Sequence, residues 1–297
     1  MPSTTSQTVL LALFVLVLCG ETCMPSENSP FVGRRESWDY AAAMKEVAKR
    51  FDGTEGVVLH LGDSITFASP YTAWARNGRG KTPEDEAILK WSHCGERNEL
   101  DGWYLASHEV NGSSSHTAAS GIRADQYLAG GYRGLPSLDT IIETYNPQVA
   151  IVMLGTNDSW QWRPTNEFAS DMNRIIRRLL ENGTVPILST IPPMVPAPEL
   201  GDRYNAELWK LAEHHKLPVI DFHGEIVGRR PDGSWNGILL YKDDPHPTAS
   251  RAGVTPESEP TPENLRESGY LLRGWLSVKQ LAEVKSRVWD SQTGRES

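Results

Sequence analysis

Val57-Val58-Leu59-His60-Leu61-Gly62-Asp63-Ser64-Ile65-Thr66 is the stretch that decides how this chain folds. Its first five residues, apolar apart from His60, read as a strand buried on both faces, the usual state of strands in a parallel sheet covered by helices. Gly62 ends the strand, and Asp63 and Ser64 are residue types that cap helix N-termini. A buried strand, a tight turn and a helix in succession form the repeating unit of α/β folds. The unit recurs. Val149–Leu154 (VAIVML) is another apolar run and stops at Gly155. Val185–Ile191 (VPILSTI) and Leu217–Phe222 (LPVIDF) supply a third and a fourth strand.

Between these runs the apolar spacing changes from strand-like to helical. Trp38–Phe51 follows Ser37 as a cap. Asn166–Glu181 places Phe168, Met172, Ile175, Ile176 and Leu179 on one face and stops at Asn182-Gly183. Leu200–Lys216 repeats the pattern. A last helix is expected to open at Thr261-Pro262, with proline in its first turn, and to carry Leu265, Leu272, Trp275, Val278 and Leu281 inward. The predicted architecture is one three-layer α/β/α sandwich over residues 31–290, with a mostly parallel, flavodoxin-like central sheet. Two segments break the rhythm. Residues 68–118, which hold Trp74, Trp91, Trp103 and Tyr104, read as a decorated insertion that includes the second strand. Residues 248–260 read as a loop rich in Pro, Ser, Thr and Glu.

Composition narrows the function classes. The 297 residues are 39% hydrophobic and 23% charged, enough apolar material for a sizeable core. A net charge of -9 with no dense basic stripe excludes a nucleic-acid partner, because phosphate-backbone affinity needs clustered Lys and Arg. Val9–Leu18 is an uninterrupted apolar run, shorter than the roughly 20 residues a membrane span requires. Residues 1–23 therefore read as a signal peptide or an N-terminal anchor, although no Lys or Arg precedes the run. The expected location is outside the cytoplasm: secreted, periplasmic or envelope-associated, with membrane contact confined to that anchor. Two of the three cysteines, Cys19 and Cys23, lie beside this segment. Leu18 and Thr22 are poor residues to precede a lipid-modified cysteine, and Cys94 alone cannot support a disulfide framework.

In open α/β sheets, functional groups gather at the carboxyl ends of the strands. Gly62-Asp63-Ser64-Ile65-Thr66, Gly155-Thr156-Asn157-Asp158 and Asp243-Asp244-Pro245-His246-Pro247 all fit that placement. Together they supply the parts of a hydrolase: a nucleophile, a base, a group to orient the base and donors for an oxyanion. Asp63 or Ser64 could equally be a simple helix cap, Asn157-Asp158 an Asx-type turn, and either Asp243 or Asp244 the partner of His246.

These blocks resemble the SGNH hydrolases, also called GDSL-like lipases or acylhydrolases. GDSIT at 62–66 matches the first family block, GTND at 155–158 the third, and the D-x-x-H spacing of Asp243 and His246 the last. Ser120-Gly121-Ile122-Arg123-Ala124 fits the second, which favours Gly121 over Gly130 or Gly131 as the oxyanion glycine. The resemblance implies a catalytic triad of Ser64, Asp243 and His246, and an oxyanion hole made by the backbone N–H groups of Ser64 and Gly121 with the side-chain amide of Asn157. It implies a serine esterase acting on carboxylic esters, with short acyl groups such as acetyl on a small molecule or a glycan as the expected substrate. An acyltransferase with the same triad is the nearest alternative. A non-catalytic glycan-binding protein on this fold is the other, and it would be expected to carry a broken triad. No G-x-S-x-G surrounds a serine, which argues against the α/β-hydrolase elbow. No metal or cofactor is expected: His93 and Cys94 lack partners at ligand spacing, His214-His215 reads as a solvated helix end, and there is no H-E-x-x-H. Trp160 and Trp162, just beyond Asn157, read either as a stacking platform for a sugar or as aromatics packed within their loop.

Overall fold

All four apolar runs become strands of one parallel sheet in the computed structural model, which describes residues 36–195 and 197–290. The expected signal or anchor segment lies outside the described residues. In chain order, α1 (Tyr40–Ala48) precedes β1 (Val58–Gly62). There follow α2 (Ser64–Phe67), α3 (Ser69–Asn77), α4 (Pro83–Trp91), α5 (Gly102–Ser107), α6 (Ala124–Ala129) and α7 (Leu138–Tyr145). Next come β2 (Val149–Met153), α8 (Thr156–Trp160), α9 (Thr165–Glu181) and β3 (Val185–Ser189). The chain closes with α10 (Pro198–His215), β4 (Val219–Ile220), α11 (Phe222–Arg229) and α12 (Gly269–Val288).

The sheet order is β1-β2-β3-β4, all parallel, and every strand residue is buried. Helices cover it: α12 packs against α1, α3, α4 and β4, and α9 packs against α6, α10 and β3. Burial on both faces is why these strands are continuous apolar runs rather than alternating ones.

The expected second strand is reduced to a single parallel bridge, Gly62 to Ala118, on the open edge of β1. The strand order around β1 is still that of a flavodoxin-like sheet, with the 118 segment outside β1. The ladder stops there because local side chains take over its backbone groups. The Ser115 hydroxyl accepts from the N–H groups of Thr117 and Ala118, at 3.3 and 3.0 Å, and the Thr117 hydroxyl donates to the His60 carbonyl at 2.8 Å. Serine and threonine compete with ladders in this way. The 68–118 insertion contributes α3, α4 and α5, joined by turns, and forms part of the core, with Trp74 and Trp103 fully buried.

Three boundaries differ from the sequence reading. Asp39, not Ser37, caps α1 by accepting from Ala41 N–H. β4 is only two residues long, because the Asp221 carboxylate accepts from Gly224 N–H and starts α11 at once. The last helix begins at Gly269 rather than Thr261, since Ser268 supplies the cap by accepting from Leu271 N–H. With that shift Trp275 becomes only half-buried, and Arg273 points into the protein instead.

Candidate active site

Asp63 is the cap and Ser64 the first residue of α2, which separates the two roles that the sequence left open. The Asp63 carboxylate accepts from Ile65 N–H at 3.0 Å. The Ser64 hydroxyl is then left to point outward, where its Oγ lies 2.8 Å from Nε2 of His246. The N–H of Ser64, like that of Gly121, donates to no group among the described residues.

His246 sits in a tight turn, 241–246. Tyr241 N–H donates to the His246 carbonyl at 2.9 Å, and Asp244 N–H donates to the Tyr241 carbonyl at 3.1 Å. The structure brings Asp244, not Asp243, to the imidazole. Asp244 Oδ1 lies 2.5 Å from His246 Nδ1 and also accepts from His246 N–H at 2.7 Å. Asp243 adopts a left-handed backbone, φ 58°. Its carboxylate is turned away to Asn236, accepting from that side-chain amide at 3.0 Å, while its N–H donates to the Asn236 side-chain Oδ1 at 2.8 Å. The physical reason is an Asx-type turn: an aspartate two residues before an N–H can close on it and so reach the side chain of the same residue.

The third block knits the second block to the first. Asn157 donates to the Ile122 carbonyl at 3.1 Å and to the Asp63 carboxylate at 3.3 Å. Its amide is therefore occupied, and it could meet an oxyanion only by giving up the longer of these bonds. The buried Asp158 carboxylate accepts from Ala124 N–H at 3.1 Å and from Arg163 at 3.0 Å. These contacts hold residues 122–124 beside α2. Gly121 has φ +83°, which strains any larger residue, and a Cβ there would lie 2.9 Å from the tip of the Tyr132 side chain, which would have to shift. Gly130 and Gly131 lie further along, in the turn after α6.

The model of the GDSL-like lipase/acylhydrolase family matches residues 60–250, which span β1 to the His246 turn. The chain belongs to this family. A curated relative is an arylesterase from Vibrio mimicus, 27% identical over 118 residues, covering 38% of this chain and 58% of that protein. The chain thus matches little more than half the length of that relative. Among solved structures, a lipolytic protein of the G-D-S-L family from Desulfitobacterium hafniense is 18% identical, covering 75% of this chain and 98% of that one, with a TM-score of 0.46. An acetyl xylan esterase from Geobacillus stearothermophilus is 14% identical, covering 78% of this chain and 96% of that one, with a TM-score of 0.47.

Two features of this GDSL-like site were missed in the sequence. The first is the weight of Asp63 and Asp158 as buried braces, both with carboxyls raised above their usual range by burial. The second is Arg273 of α12, fully enclosed, which donates to the Ile65 carbonyl at 2.6 Å and to the Thr66 hydroxyl at 2.8 Å. Its guanidinium lies 3.8 Å from the centroid of the Tyr71 ring. Arg273 thereby ties the last helix to the short helix carrying Ser64. Buried Tyr270 and Ser277, three residues before and four after it, were the available signal, because they mark a polar stripe on one helix face.

Trp160 and Trp162 are 52% and 70% exposed, so they do not pack within their loop. Trp162 has φ 55°, and Gln161 between them accepts from Arg123 at 2.7 Å. Among the described residues there is no cluster of three or more His, Cys, Asp or Glu that could hold a metal. His93 pairs with Glu96, and burial pushes the Cys94 thiol up to about 12, far from a reactive thiolate. A cleft of about 680 Å³, lined by Trp209, Asp221, Glu225 and Trp275, includes none of the residues around Ser64.

Proposed function

We propose that the protein is a serine esterase that hydrolyses carboxylic esters of short acyl groups, carried on a small alcohol or a glycan, through an acyl-enzyme on Ser64. The observation that carries this reading is the unbroken line of contacts from Ser64 Oγ to His246 Nε2 and from His246 Nδ1 to Asp244. His246 takes the Ser64 proton as Oγ attacks the acyl carbon, and Asp244 holds the imidazole in the required tautomer. The free N–H groups of Ser64 and Gly121 meet the oxyanion, joined by Asn157 once it leaves Asp63. His246 returns the proton to the leaving alcohol, and water then repeats the sequence on the acyl-enzyme.

Family membership and the arylesterase relative support ester chemistry. Solvent access favours water over a second alcohol as acceptor, because the side chains of His246 and Asp244 are 40% and 48% exposed. The exposed Trp160 and Trp162 next to Asn157 suit stacking on a sugar ring. An intact Ser64–His246–Asp244 line argues against a purely glycan-binding role. Export of the chain through its N-terminal apolar segment belongs to the same proposal.

Hydrolysis of p-nitrophenyl acetate, butyrate and octanoate tests the reading, with Ser64→Ala in parallel. Turnover is expected to fall with acyl length and to drop by up to about 10⁶ in the variant. Equal rates in wild type and variant, or a preference for octanoate, would overturn it.

A further inference from the structure

The turn after α6 carries a cation that the chemistry above does not use. Arg133 is exposed and makes no ion pair among the described residues. Its backbone has φ 48°, a left-handed conformation that non-glycine residues rarely adopt. The insertion holds it there: the Arg133 carbonyl accepts from the Asn111 amide at 2.6 Å and from the Ser114 hydroxyl at 3.0 Å. Gly131 N–H closes the turn onto the Leu135 carbonyl at 2.7 Å.

This clamped turn overhangs the oxyanion glycine. The Tyr132 hydroxyl lies 2.9 Å and the Arg133 Nη2 3.9 Å from where a Cβ of Gly121 would stand. The guanidinium is within 5.7 Å of the Tyr132 ring centroid, and its Nε is 3.5 Å from the Tyr132 hydroxyl. Tyr132 is thus the nearer group, and the cation stands one layer further out. Beside Gly121, it is placed to meet a group of the substrate other than the reacting carbonyl. An arginine fork without a carboxylate partner is matched by a carboxylate brought by a ligand.

We infer that Tyr132 and Arg133 form a subsite that selects esters bearing a carboxylate near the scissile bond, and that the 111–114 segment of the insertion sets its position. The inference rests on the esterase reading. The carboxylate can be carried on the alcohol or on the acyl group, and matched substrate pairs separate the two. For the alcohol side the pair is 4-acetoxybenzoate and its methyl ester. For the acyl side it is mono-4-nitrophenyl glutarate and 4-nitrophenyl valerate.

The ratio of kcat/KM for the charged and neutral members of one pair is expected to exceed about tenfold, as suits a charge-assisted contact at a partly exposed site. The preference should reside in KM and weaken with added salt. Arg133→Gln should abolish the ratio, Arg133→Lys should retain part of it, and Asn111→Ala should reduce it by releasing the turn. Calorimetric binding of the same pairs to Ser64→Ala reads the preference without turnover. Failure to hydrolyse any of these esters, charged or neutral, would sink the esterase reading, while the binding ratio would still judge the subsite. Absence of a charged-ester preference in binding or turnover, or an unchanged ratio in Arg133→Gln, would overturn the subsite. An equal fall in kcat on both members of each pair would also overturn it, because the guanidinium would then be serving the oxyanion.

Discussion

At the scale of single residues, the site turns on which of two adjacent aspartates meets His246. Family spacing pointed to Asp243, whereas a local turn brings Asp244 to the imidazole. Asp244 sits two residues before His246 and accepts both its N–H and its Nδ1 side, whereas Asp243 is held by Asn236. Two neighbouring variants separate these geometries. Asp244→Asn is expected to lower kcat by about 10²–10⁴ at neutral pH, since the amide would favour the wrong imidazole tautomer. Asp243→Asn should change kcat by no more than about twofold, because the side chain sits outside the hydrogen-bonded line. Steady-state kinetics on one ester reads both, and a reversed order would contradict the turn geometry. The pairing of Ser64 with His246 was legible in the sequence because both fall in short blocks with fixed spacing. The aspartate was not, because an Asx-type turn and a left-handed residue are properties of φ and ψ.

At the scale of elements, β1 and α12 carry the site. The apolar run 57–61 located β1 to within a residue, since a strand buried on both faces has no alternative use for such a run. The start of α12 was misread because Thr261-Pro262 resembles a helix opening, while the cap actually used, Ser268, precedes an uncharged turn. The second strand was unreadable for a different reason: Ser115 and Thr117 bond the backbone groups a ladder would need.

β1 also stores a pH dependence. His60 is fully buried against Trp103, its Nδ1 2.8 Å from the Tyr71 hydroxyl, and burial lowers its pKa to about 3. A histidine lowered on folding stabilises the protein fully above its unfolded value near 6.5, and that stability is lost as pH falls from there toward the folded value. The loss approaches about 1.4 kcal/mol per pH unit. Asp63 runs the other way, with a carboxyl raised by burial, so the total slope mixes both signs. A difference measurement isolates His60. The Tm gap between wild type and His60→Asn, wide at pH 7.5, should narrow steadily toward pH 5. A gap that stays constant over this range would show that His60 does not titrate as its burial requires.

At the scale of the whole molecule, a parallel sheet flanked by helices gathers at one edge what the chain keeps far apart. Ser64 follows β1, Asn157 follows β2, and His246 arrives on a turn after α11. Each block is short, and only their order along the chain made the architecture and the family legible. What the sequence could not convey is how the blocks brace one another: Asn157 reaches Ile122, Asp158 reaches Ala124, and Arg273 reaches Ile65. Such pairings depend on distance in space, which spacing along a chain does not encode. The central claim is that this assembly makes Ser64 a nucleophile. Reaction of the folded protein with a fluorophosphonate, followed by peptide mass spectrometry, tests it most directly. The account predicts one equivalent of adduct on the Ser64 peptide, absent in Ser64→Ala and strongly slowed in His246→Ala. A folded protein that stays unlabelled, or carries the label on another residue, would contradict it.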